Sequence, residues 1–371
     1  MKADVLIIGG GIQGCAAAYH LARQGASVIL LEKDYAGRHA SGVNAGGVRL
    51  LGRDMAEVPL SKASMEMWQT LNEELGQDTG FRRQSVINIA ADQADMATLC
   101  SREEKMHAAG YNHERILSRA ELLDRLPHVN PDCVGGTISE IDGYAIPYKA
   151  TSAFRLAAEY HEARIIAGEE VMSLRRIGPA WLAQGRKDRY EAETVVNCAG
   201  AWADRIALMI GDNVPLSHAA PMLMITARMP HFASPVVGAV SRQLSFKQFE
   251  NGTVLVGGGA KGFADRDNNR TRLDYAKLAA AARTTAEFFP IMRFAAINRM
   301  WAGLEAYMPD NLPVIGPAEN AGGAFHAFGF SAHGFQMGPI VGQVMADLVL
   351  TGQSRFDLSS FRINRYDRKV L

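Results

Sequence analysis

The chain has 371 residues, of which 48% are hydrophobic and 21% charged, a composition typical of a globular protein large enough for two hydrophobic cores. Lys and Arg together number 39, as do Asp and Glu, so the sequence lacks the positive charge that binding to nucleic acid or to an anionic membrane requires. The four cysteines show no metal-binding spacing, and no stretch predicts a targeting signal or a membrane span, so we expect a cytoplasmic protein that associates with a membrane at most peripherally.

The first predicted elements form a βαβ unit over residues 4–32: the strand "DVLIIG", a glycine turn opening a helix, and the strand "ASVILLE". Gly9, Gly11 and Gly14 fit the GxGxxG pattern, in which the glycines allow a tight turn, close approach to a pyrophosphate and close packing of helix on strand. Glu32 follows Gly14 by 18 positions, about where a carboxylate binds a ribose diol. The pattern predicts a dinucleotide site, and both NAD and FAD use it.

The middle of the chain predicts short helices and strands after a glycine-rich polar loop at 36–53. Ser118 and Glu121 fit a capping box at the start of one helix, and Pro147 suits the first turn of another. The Asn-Gly pair at 251–252 predicts a β-hairpin.

Two later stretches favour FAD over NAD. The strand and turn "VVNCAGAWAD" and the C-terminal "GFSAHGFQMG" both have the character of the nucleotide lobe, so a long cofactor is expected to be wrapped by distant segments. We expect glycines 329, 334 and 338 to let backbone amides approach a flat ring, with the positive end of the following helix directed at it. The predicted FAD-binding domain therefore comprises residues 1–83, 142–214 and 301–371, and residues 84–141 and 215–300 form a substrate domain.

In this order, "DVLIIGGGIQG", "SGVNAGGVR", "DGYAIP", "VVNCAGAWAD", "WAGLEAYMPDNLPVIG" and "GFSAHGFQMGP" resemble the D-amino-acid oxidase superfamily. The resemblance is to its glycine oxidase, sarcosine oxidase and D-amino-acid (hydroxyproline, opine) dehydrogenase branch. It implies an α/β fold, with a GR2-type, Rossmann-like FAD-binding domain interleaved with an α+β substrate domain built on a large mixed or antiparallel sheet. It also implies oxidation of an amino acid or N-substituted amino acid to the imine, by hydride transfer from Cα to flavin N5.

The motif and the resemblance together predict the site residues. Cofactor contacts are expected at Gly9, Gly11, Ile12, Gln13, Gly14, Glu32, Lys33, Ser41, Asn44, Ala45, Gly46, Gly47, Val171, Ala199, Gly200, Trp202, Gly303, Gly329, Ser331, His333, Gly334, Phe335 and Gln336. The catalytic positions are expected at Arg49, Arg53 and His333, and the substrate-binding positions at Arg53, Glu305, Tyr307 and Gln336.

Three departures from the family pattern carry information. Gly303 stands where sarcosine oxidases have a flavin-linking cysteine, so FAD is expected to be bound non-covalently. Glu305 stands in "GLEA" where glycine oxidases have a carboxylate-binding arginine, so either other residues hold the substrate acid or the substrate presents a cation to Glu305. Leu255 occupies the position of the lysine that promotes reaction with oxygen, although Lys247 in the preceding strand could substitute.

The leucine at position 255 favours a dehydrogenase that passes electrons to a quinone or to a partner protein. The resemblance also implies a possible hetero-oligomer, because chains of this length in the family often act as its catalytic subunit. The alternatives left open are an oxidase that makes hydrogen peroxide, a flavin-binding electron-transfer subunit without catalysis, and a nicotinamide-linked dehydrogenase. The expected ligand is a small amino-acid-type substrate, and no metal site is expected.

Overall fold

The structure is a computed structural model and describes residues 1–369. Within this range the α-helices are α1 (Ile12–Arg23), α2 (Ala40–Val43), α3 (Val58–Leu75), α4 (Gln93–Ala108), α5 (Arg119–Arg125), α6 (Pro147–Tyr160), α7 (Ala203–Ile210), α8 (Tyr275–Phe288) and α9 (Gly334–Thr351). Short 3-10 helices cover Gly200–Trp202, Pro290–Phe294, Ser359–Phe361 and Ile363–Lys369. None of the helices within 1–369 combines the length and the apolar character needed to cross a membrane.

The strands of the first half of the chain are β1 (Lys2–Ile8), β2 (Val28–Glu32), β3 (Gly47–Val48), β4 (Arg82–Arg83), β5 (Val86–Ala90), β6 (Arg115–Ser118), β7 (Gly135–Ser139), β8 (Gly143–Tyr144), β9 (Arg164–Ala167), β10 (Val171–Ile177) and β11 (Ala180–Gly185). The remaining strands are β12 (Arg189–Asn197), β13 (Ser217–Thr226), β14 (Val236–Ala239), β15 (Ser245–Gln248), β16 (Val254–Gly257), β17 (Lys261–Asp265), β18 (Arg270–Arg272), β19 (Ile297–Ala302), β20 (Glu305–Tyr307), β21 (Val314–Pro317) and β22 (Ala324–Phe328).

The first sheet is built around the βαβ unit predicted from the sequence. Strands β9, β2, β1, β12 and β22 run parallel, and β10, β11 and β21 add antiparallel pairs. Every residue of β2 is buried, as expected for a parallel strand covered on both faces. On one face, α1 packs against both α6 and α9, so the first and last long helices of the chain are neighbours.

The second sheet is large and mixed. Its order is β18-β17-β13-β16-β15-β14-β5-β7-β6, with β19 and β20 also paired to β13, and all pairs are antiparallel except β14 with β5. The strands β3, β8 and β4 form a third, three-stranded sheet. The α/β architecture with a large mixed sheet predicted from the sequence is confirmed.

Local predictions can be compared with the strands and helices directly. Ser118 and Glu121 form the predicted capping box of α5, and Pro147 is the first residue of α6. The Asn-Gly pair at 251–252 lies between the antiparallel strands β15 and β16. The division into two domains at the proposed boundaries stays a prediction, and β20, from the segment 301–371, pairs with β13 of the second sheet.

Candidate active site

One cavity of about 840 Å³ lies between the two large sheets. It is bordered by the glycine turn after β1, the loop at 37–47, the strands around β14 and β15, and the C-terminal loop at 329–335. The predicted site residues that line it are Gly9, Gly11, Ile12, Gln13, Glu32, Lys33, Ser41, Asn44, Ala45, Gly46, Gly47, Arg49, Arg53, Val171, Ala199, Gly200, Trp202, Gly303, Glu305, Tyr307, Gly329, Gly334 and Phe335. Four predicted residues do not line it: Gly14, Ser331, His333 and Gln336.

The glycine turn forms a cradle that side chains would fill. A Cβ on Gly9 would lie 2.3 Å from the carbonyl oxygen of Cys198, and one on Gly11 would lie 2.9 Å from Ser41 Oγ. A Cβ on Gly14 would lie 1.9 Å from the carbonyl oxygen of Gly9, so Gly14 serves the packing of α1 against the turn. This explains why Gly14 lies behind the cavity wall.

The N-termini of α1 and α9 meet at this wall. The Ile12 amide donates to Ser41 Oγ at 2.9 Å, and the Gln13 side chain donates from Nε2 to the Gly334 carbonyl oxygen at 2.7 Å. Both helices therefore direct partial positive charge toward the cavity. Gly338, which was expected to approach the ring, does not line the cavity, and a Cβ there would lie 2.7 Å from the Ile12 side chain, so the geometry favours a role in helix packing.

Beyond the glycine turn, the end of β2 carries the predicted ribose ligand. Glu32 is 8% exposed, and its carboxylate accepts hydrogen bonds from the amides of Gly10 at 2.7 Å and Asp34 at 2.8 Å. Burial raises the pKa of Glu32, while these two hydrogen bonds act in the opposite direction. The next residue, Lys33, places Nζ 3.0 Å from the ring centroid of Trp202, so the cation and the aromatic ring form one wall of the cavity.

A turn from the second sheet contacts the lining residue Lys33 at this end of the cavity. We call residues 266–269, between β17 and β18, the tip turn. Lys33 Nζ donates to Asn269 Oδ1 at 2.6 Å. Arg266 makes a bidentate pair with Asp204 at 2.7 and 2.8 Å. The tip turn thus connects the second sheet to Lys33, the residue after Glu32, and to Asp204 on α7.

At the opposite end, the loop at 329–334 has an uncommon backbone. Ser331 and Ala332 are consecutive non-glycine residues with φ of 49° and 73°. Ser331 Oγ accepts from the Met308 amide at 3.1 Å, and the Ala332 amide donates to Glu305 Oε1 at 3.0 Å. Because left-handed conformations of such residues cost free energy, these hydrogen bonds are needed to hold the loop. Ser331 therefore supports the loop from outside the cavity.

Two arginines lie at this end of the cavity and differ in their hydrogen bonding. Arg49 donates from Nη1 to the carbonyl oxygen of Leu51 at 2.7 Å. Arg53 is 2% exposed and donates from Nε to the carbonyl oxygen of Arg49 at 3.1 Å, while its Nη1 has no partner among the side chains described, those of residues 1–366, or the backbone of residues 1–369. Burial, followed by the charge of Arg49, lowers the pKa of Arg53 to about 9, so the group stays cationic at neutral pH.

Gln336 lies behind Arg53. Its side-chain oxygen accepts from Arg53 Nη2 at 3.3 Å, and its Nε2 donates to the carbonyl oxygen of Ser61 at 2.9 Å. The side chain of Gln336 is fully buried and does not reach the cavity. The geometry therefore does not favour the direct contacts with substrate and cofactor that the sequence predicted for it. Its observed partner is the arginine.

His333 is also turned away from the cavity. Its Nδ1 lies 2.9 Å from an oxygen of the fully buried Glu57 carboxylate. Burial, followed by the charge of Arg53, lowers the pKa of His333. The geometry therefore gives the imidazole a structural partner rather than the catalytic and cofactor contacts expected from the sequence.

Lys247 and Leu255 are opposite each other on β15 and β16. Lys247 is 3% exposed, donates from Nζ to the Ala45 carbonyl oxygen, and has the rings of Tyr144 and Phe249 at 4.7 and 5.3 Å from Nζ. Burial lowers its pKa to about 7. Neither Lys247 nor Leu255 is among the described residues that line the cavity.

Several lining residues were missed from the sequence. Side chains alternate along β5: Val86 and Asn88 line the cavity, whereas Ile87 and Ile89 belong to the hydrophobic core. The polar residue in an otherwise apolar strand was the available evidence for Asn88. For the segment 236–245 the sequence offered no comparable pattern, because its position depends on strand pairing across the second sheet.

The observed residues fit a dinucleotide with a large ring system. The glycine cradle leaves no room for side chains, two helix N-termini face the cavity, and a buried carboxylate ends β2. The cavity of about 840 Å³ extends from this cradle to the loop at 329–335, so segments from both ends of the chain border it. These are the features that bind pyrophosphate and ribose in such folds.

Comparisons with known proteins agree with this geometry. The family model DAO, described as FAD dependent oxidoreductase, matches residues 4–348. The chain is 25% identical to one of the opine oxidase subunits of Rhizobium meliloti, over 99% of this chain and 98% of that protein. It is 25% identical to mitochondrial dimethylglycine dehydrogenase of Rattus norvegicus over 99% of this chain, which spans 45% of that longer protein.

Among solved structures, the fold is similar to that of L-proline dehydrogenase from P. horikoshii. The TM-score is 0.92 at 25% sequence identity, and the likeness covers 99% of this chain and 98% of the other.

Proposed function

The chain belongs to the FAD-dependent oxidoreductase family DAO, and from this premise we propose that it oxidises the carbon–nitrogen bond of an amino acid or N-substituted amino acid to the imine. The proposed substrates are D-amino acids, D-proline derivatives, opines, glycine or sarcosine. The names of the opine oxidase and the dimethylglycine dehydrogenase that it resembles support this class. The proposed electron acceptor is a quinone or a partner protein.

Bound FAD supplies the hydride acceptor for this oxidation. We propose that the glycine cradle and Glu32 hold its adenosine diphosphate part, and that the loops at 44–47 and 329–335 border its ring system. Cys198 is the cysteine among the cavity-lining residues, and burial raises the pKa of its thiol, so it stays protonated. Together with Gly303 at the position of the linking cysteine, this supports non-covalent binding.

The observation that carries the proposal is the unpartnered edge of Arg53. A buried guanidinium is costly unless it is paired, yet Arg53 Nη1 has no partner among the described residues and the side chain borders the cavity. A carboxylate placed there would satisfy the cation with charge-assisted hydrogen bonds. We therefore propose that Arg53 binds the substrate carboxylate and so orients its Cα.

The residues around Arg53 have positioning roles in this proposal. Gln336 fixes the far side of the guanidinium, and Glu57 supplies a buried negative charge near both arginines. His333 is held by Glu57 and contributes through the loop backbone. No side-chain base is required when the substrate amine is neutral as it reacts.

Lys247 bears on the choice of electron acceptor. A cation beside the reacting ring would stabilise the superoxide formed in reaction with oxygen. Lys247 is instead buried between two aromatic rings, donates to a backbone carbonyl and does not line the cavity. This arrangement supports a dehydrogenase over an oxidase.

The test is anaerobic reduction of the bound flavin by a panel of amino acids, followed as loss of absorbance near the flavin maximum. We expect at least one carboxylate-bearing amino acid to reduce wild type, and its carboxamide to be far weaker. Arg53→Met should lower the apparent second-order rate constant for reduction by about a thousandfold, because losing a buried charge pair costs roughly 2–5 kcal/mol.

Arg83→Met, at an exposed position on β4, is the matched control and should leave reduction unchanged. Flavin content measured for each variant separates loss of substrate binding from loss of cofactor. If no amino acid bleaches the flavin, or if Arg53→Met reacts like wild type, the proposal is wrong.

A further inference from the structure

Glu305 places a carboxylate in the cavity wall. It begins β20, lines the cavity, and its pKa is raised by burial. Among the side chains of residues 1–366, none forms an ion pair with Glu305. A second unpaired charge, opposite in sign to Arg53, therefore borders the same cavity.

The hydrogen bonds of Glu305 leave it able to bind more. Oε1 accepts from the Ala332 amide at 3.0 Å and Oε2 accepts from the Tyr307 hydroxyl at 3.1 Å. An ionised carboxylate has about four acceptor sites, so about two stay free. These two hydrogen bonds from neutral donors hold Glu305 against the loop, but they do not neutralise its charge.

The cation whose charge acts on Glu305, Lys261, does not form an ion pair with it. Lys261 places Nζ 3.8 Å from the ring centroid of Tyr307, so it contacts the ring face rather than the carboxylate. Its charge counteracts the raised pKa of Glu305. Lys261 is exposed on β17, where its ammonium keeps contact with solvent.

Glu305 and Arg53 contact adjacent residues of one loop. Glu305 accepts from the amide of Ala332, and Arg53 Nη2 lies 3.5 Å from the carbonyl oxygen of His333. A molecule whose carboxylate is held by Arg53 therefore extends past a fixed negative charge. This negative charge would slow oxidation if it lay beside the reacting amine. A carboxylate stabilises the ammonium form of the amine, whereas Cα loses its hydride only when the amine is neutral.

We propose that Glu305 is a specificity-determining residue that selects substrates with a second cation, a guanidinium or ammonium group carried by the side chain or the N-substituent. This inference rests on the proposed oxidation of amino acids and narrows its substrate class. Neutral and acidic amino acids of the same length are disfavoured, since they leave the carboxylate unpaired or bring a like charge to it.

The experiment compares isosteric pairs in anaerobic flavin reduction: arginine with citrulline, and lysine with 2-aminoheptanoic acid, each as both enantiomers. We expect the cationic member of a pair to reduce the flavin at least tenfold more efficiently. Glu305→Gln keeps the hydrogen-bonding oxygen and removes the charge, and it should lower the rate constant for the cationic substrate at least tenfold more than for its neutral isostere. Glu104→Gln, exposed on α4, is the matched control.

Binding of agmatine, a guanidinium compound without a carboxylate, provides a second readout that needs no turnover. We expect calorimetric titration of the holoprotein to show at least tenfold weaker binding to Glu305→Gln than to wild type. Equal efficiencies within each pair, or equal losses for both members in Glu305→Gln, overturn the inference and leave Glu305 as a loop support. If nothing bleaches the flavin but agmatine still distinguishes the two proteins, the proposed oxidation fails and the cation site stands.

Discussion

Two arginines four residues apart border the same end of the cavity, and only Arg53 has a buried side-chain nitrogen without a partner in the described part of the chain. Arg49 bonds to the backbone of its own turn, whereas Arg53 leaves Nη1 free. The sequence predicted both as candidates, but it could not rank them, because the difference depends on where the turn at 50–53 directs each guanidinium. The structure makes Arg53 the residue to test.

Lys247 gives a prediction about oxygen. If the protein is a dehydrogenase, air should reoxidise the substrate-reduced flavin slowly, and Lys247→Met should change that rate by less than threefold. Stopped-flow mixing of the reduced protein with oxygenated buffer measures it. A tenfold or larger drop would identify Lys247 as an oxygen-activating cation and favour the oxidase; its pKa of about 7 would then make the wild-type rate fall above pH 7, as the ammonium is lost.

His20 gives a prediction about acid stability. It is 7% exposed, its Nε2 has no partner within the described chain, and burial lowers its pKa from 6.5 to about 4. Between these values the unfolded chain binds a proton that the folded chain does not, so the free energy of unfolding falls as the pH drops below 6.5. From pH 7 to pH 5 this residue should account for about 2 kcal/mol of lost stability.

Urea unfolding at pH 7 and pH 5 tests this. His20→Leu should reduce the loss of stability between the two pH values, whereas His107→Leu, exposed on α4, should keep the wild-type loss. An equally large loss in His20→Leu would show that other groups cause the acid sensitivity.

At the scale of elements, the close contact of α1 and α9 determines where both helix N-termini lie. A Cβ on Gly342 would lie 2.5 Å from the Ala16 Cβ, so Gly342→Ala forces the helices apart. We expect Gly342→Ala to lower the free energy of unfolding by about 1–3 kcal/mol, because the steric cost exceeds the stabilisation that alanine's higher helix propensity provides. Urea unfolding measures the change; Gln343→Ala adds no atoms to the contact and should stay within about 0.5 kcal/mol of wild type.

The tip turn gives a second prediction at this scale. Asn269 has a φ of 61°, accepts from Lys33 and donates to Asp34 Oδ2 at 2.7 Å. Asn269→Gly keeps the backbone conformation and removes both hydrogen bonds, so we expect about tenfold weaker FAD binding, equivalent to about 1.4 kcal/mol. Recovery of flavin fluorescence on dilution measures FAD release.

Asn268→Ala is the matched control in the same turn. The hydrogen bonds of Asn268 are to Asp265 within the hairpin, so its loss should leave FAD affinity close to that of wild type. Similar release from both variants would mean that the tip turn acts through general stability rather than through its contact with Lys33.

For the whole molecule, the sequence predicted the architecture well, because the architecture is indicated by short-range patterns and by the order of motifs along the chain. The βαβ unit, the capping box of α5 and the hairpin at 251–252 follow from short-range patterns, and the order of motifs indicated the family. The glycine turn was predictable for the same reason, since only glycine fits that cradle.

The parts that the sequence could not supply depend on long-range packing. His333 and Gln336 stand in the predicted loop, but Glu57 and Arg53, about 280 positions away, decide the direction of their side chains. The lining at 236–245 depends in the same way on how β14 pairs with β5. Side-chain direction at the end of a strand or helix is therefore the feature that needed the structure.

The proposed site places a flavin ring beside the loop at 329–335 and the substrate carboxylate on Arg53. The most direct measurement is a crystal structure of the FAD-loaded protein with acetate or a thioether analogue of the substrate. We expect the ring system between the loop at 44–47 and residues 329–335, and the carboxylate within 3.2 Å of Arg53 Nη1, as in ordinary hydrogen bonds of about 2.7–3.2 Å. A ring system away from residues 329–335, or a carboxylate bound to other residues with Arg53 Nη1 still unpartnered, would contradict it.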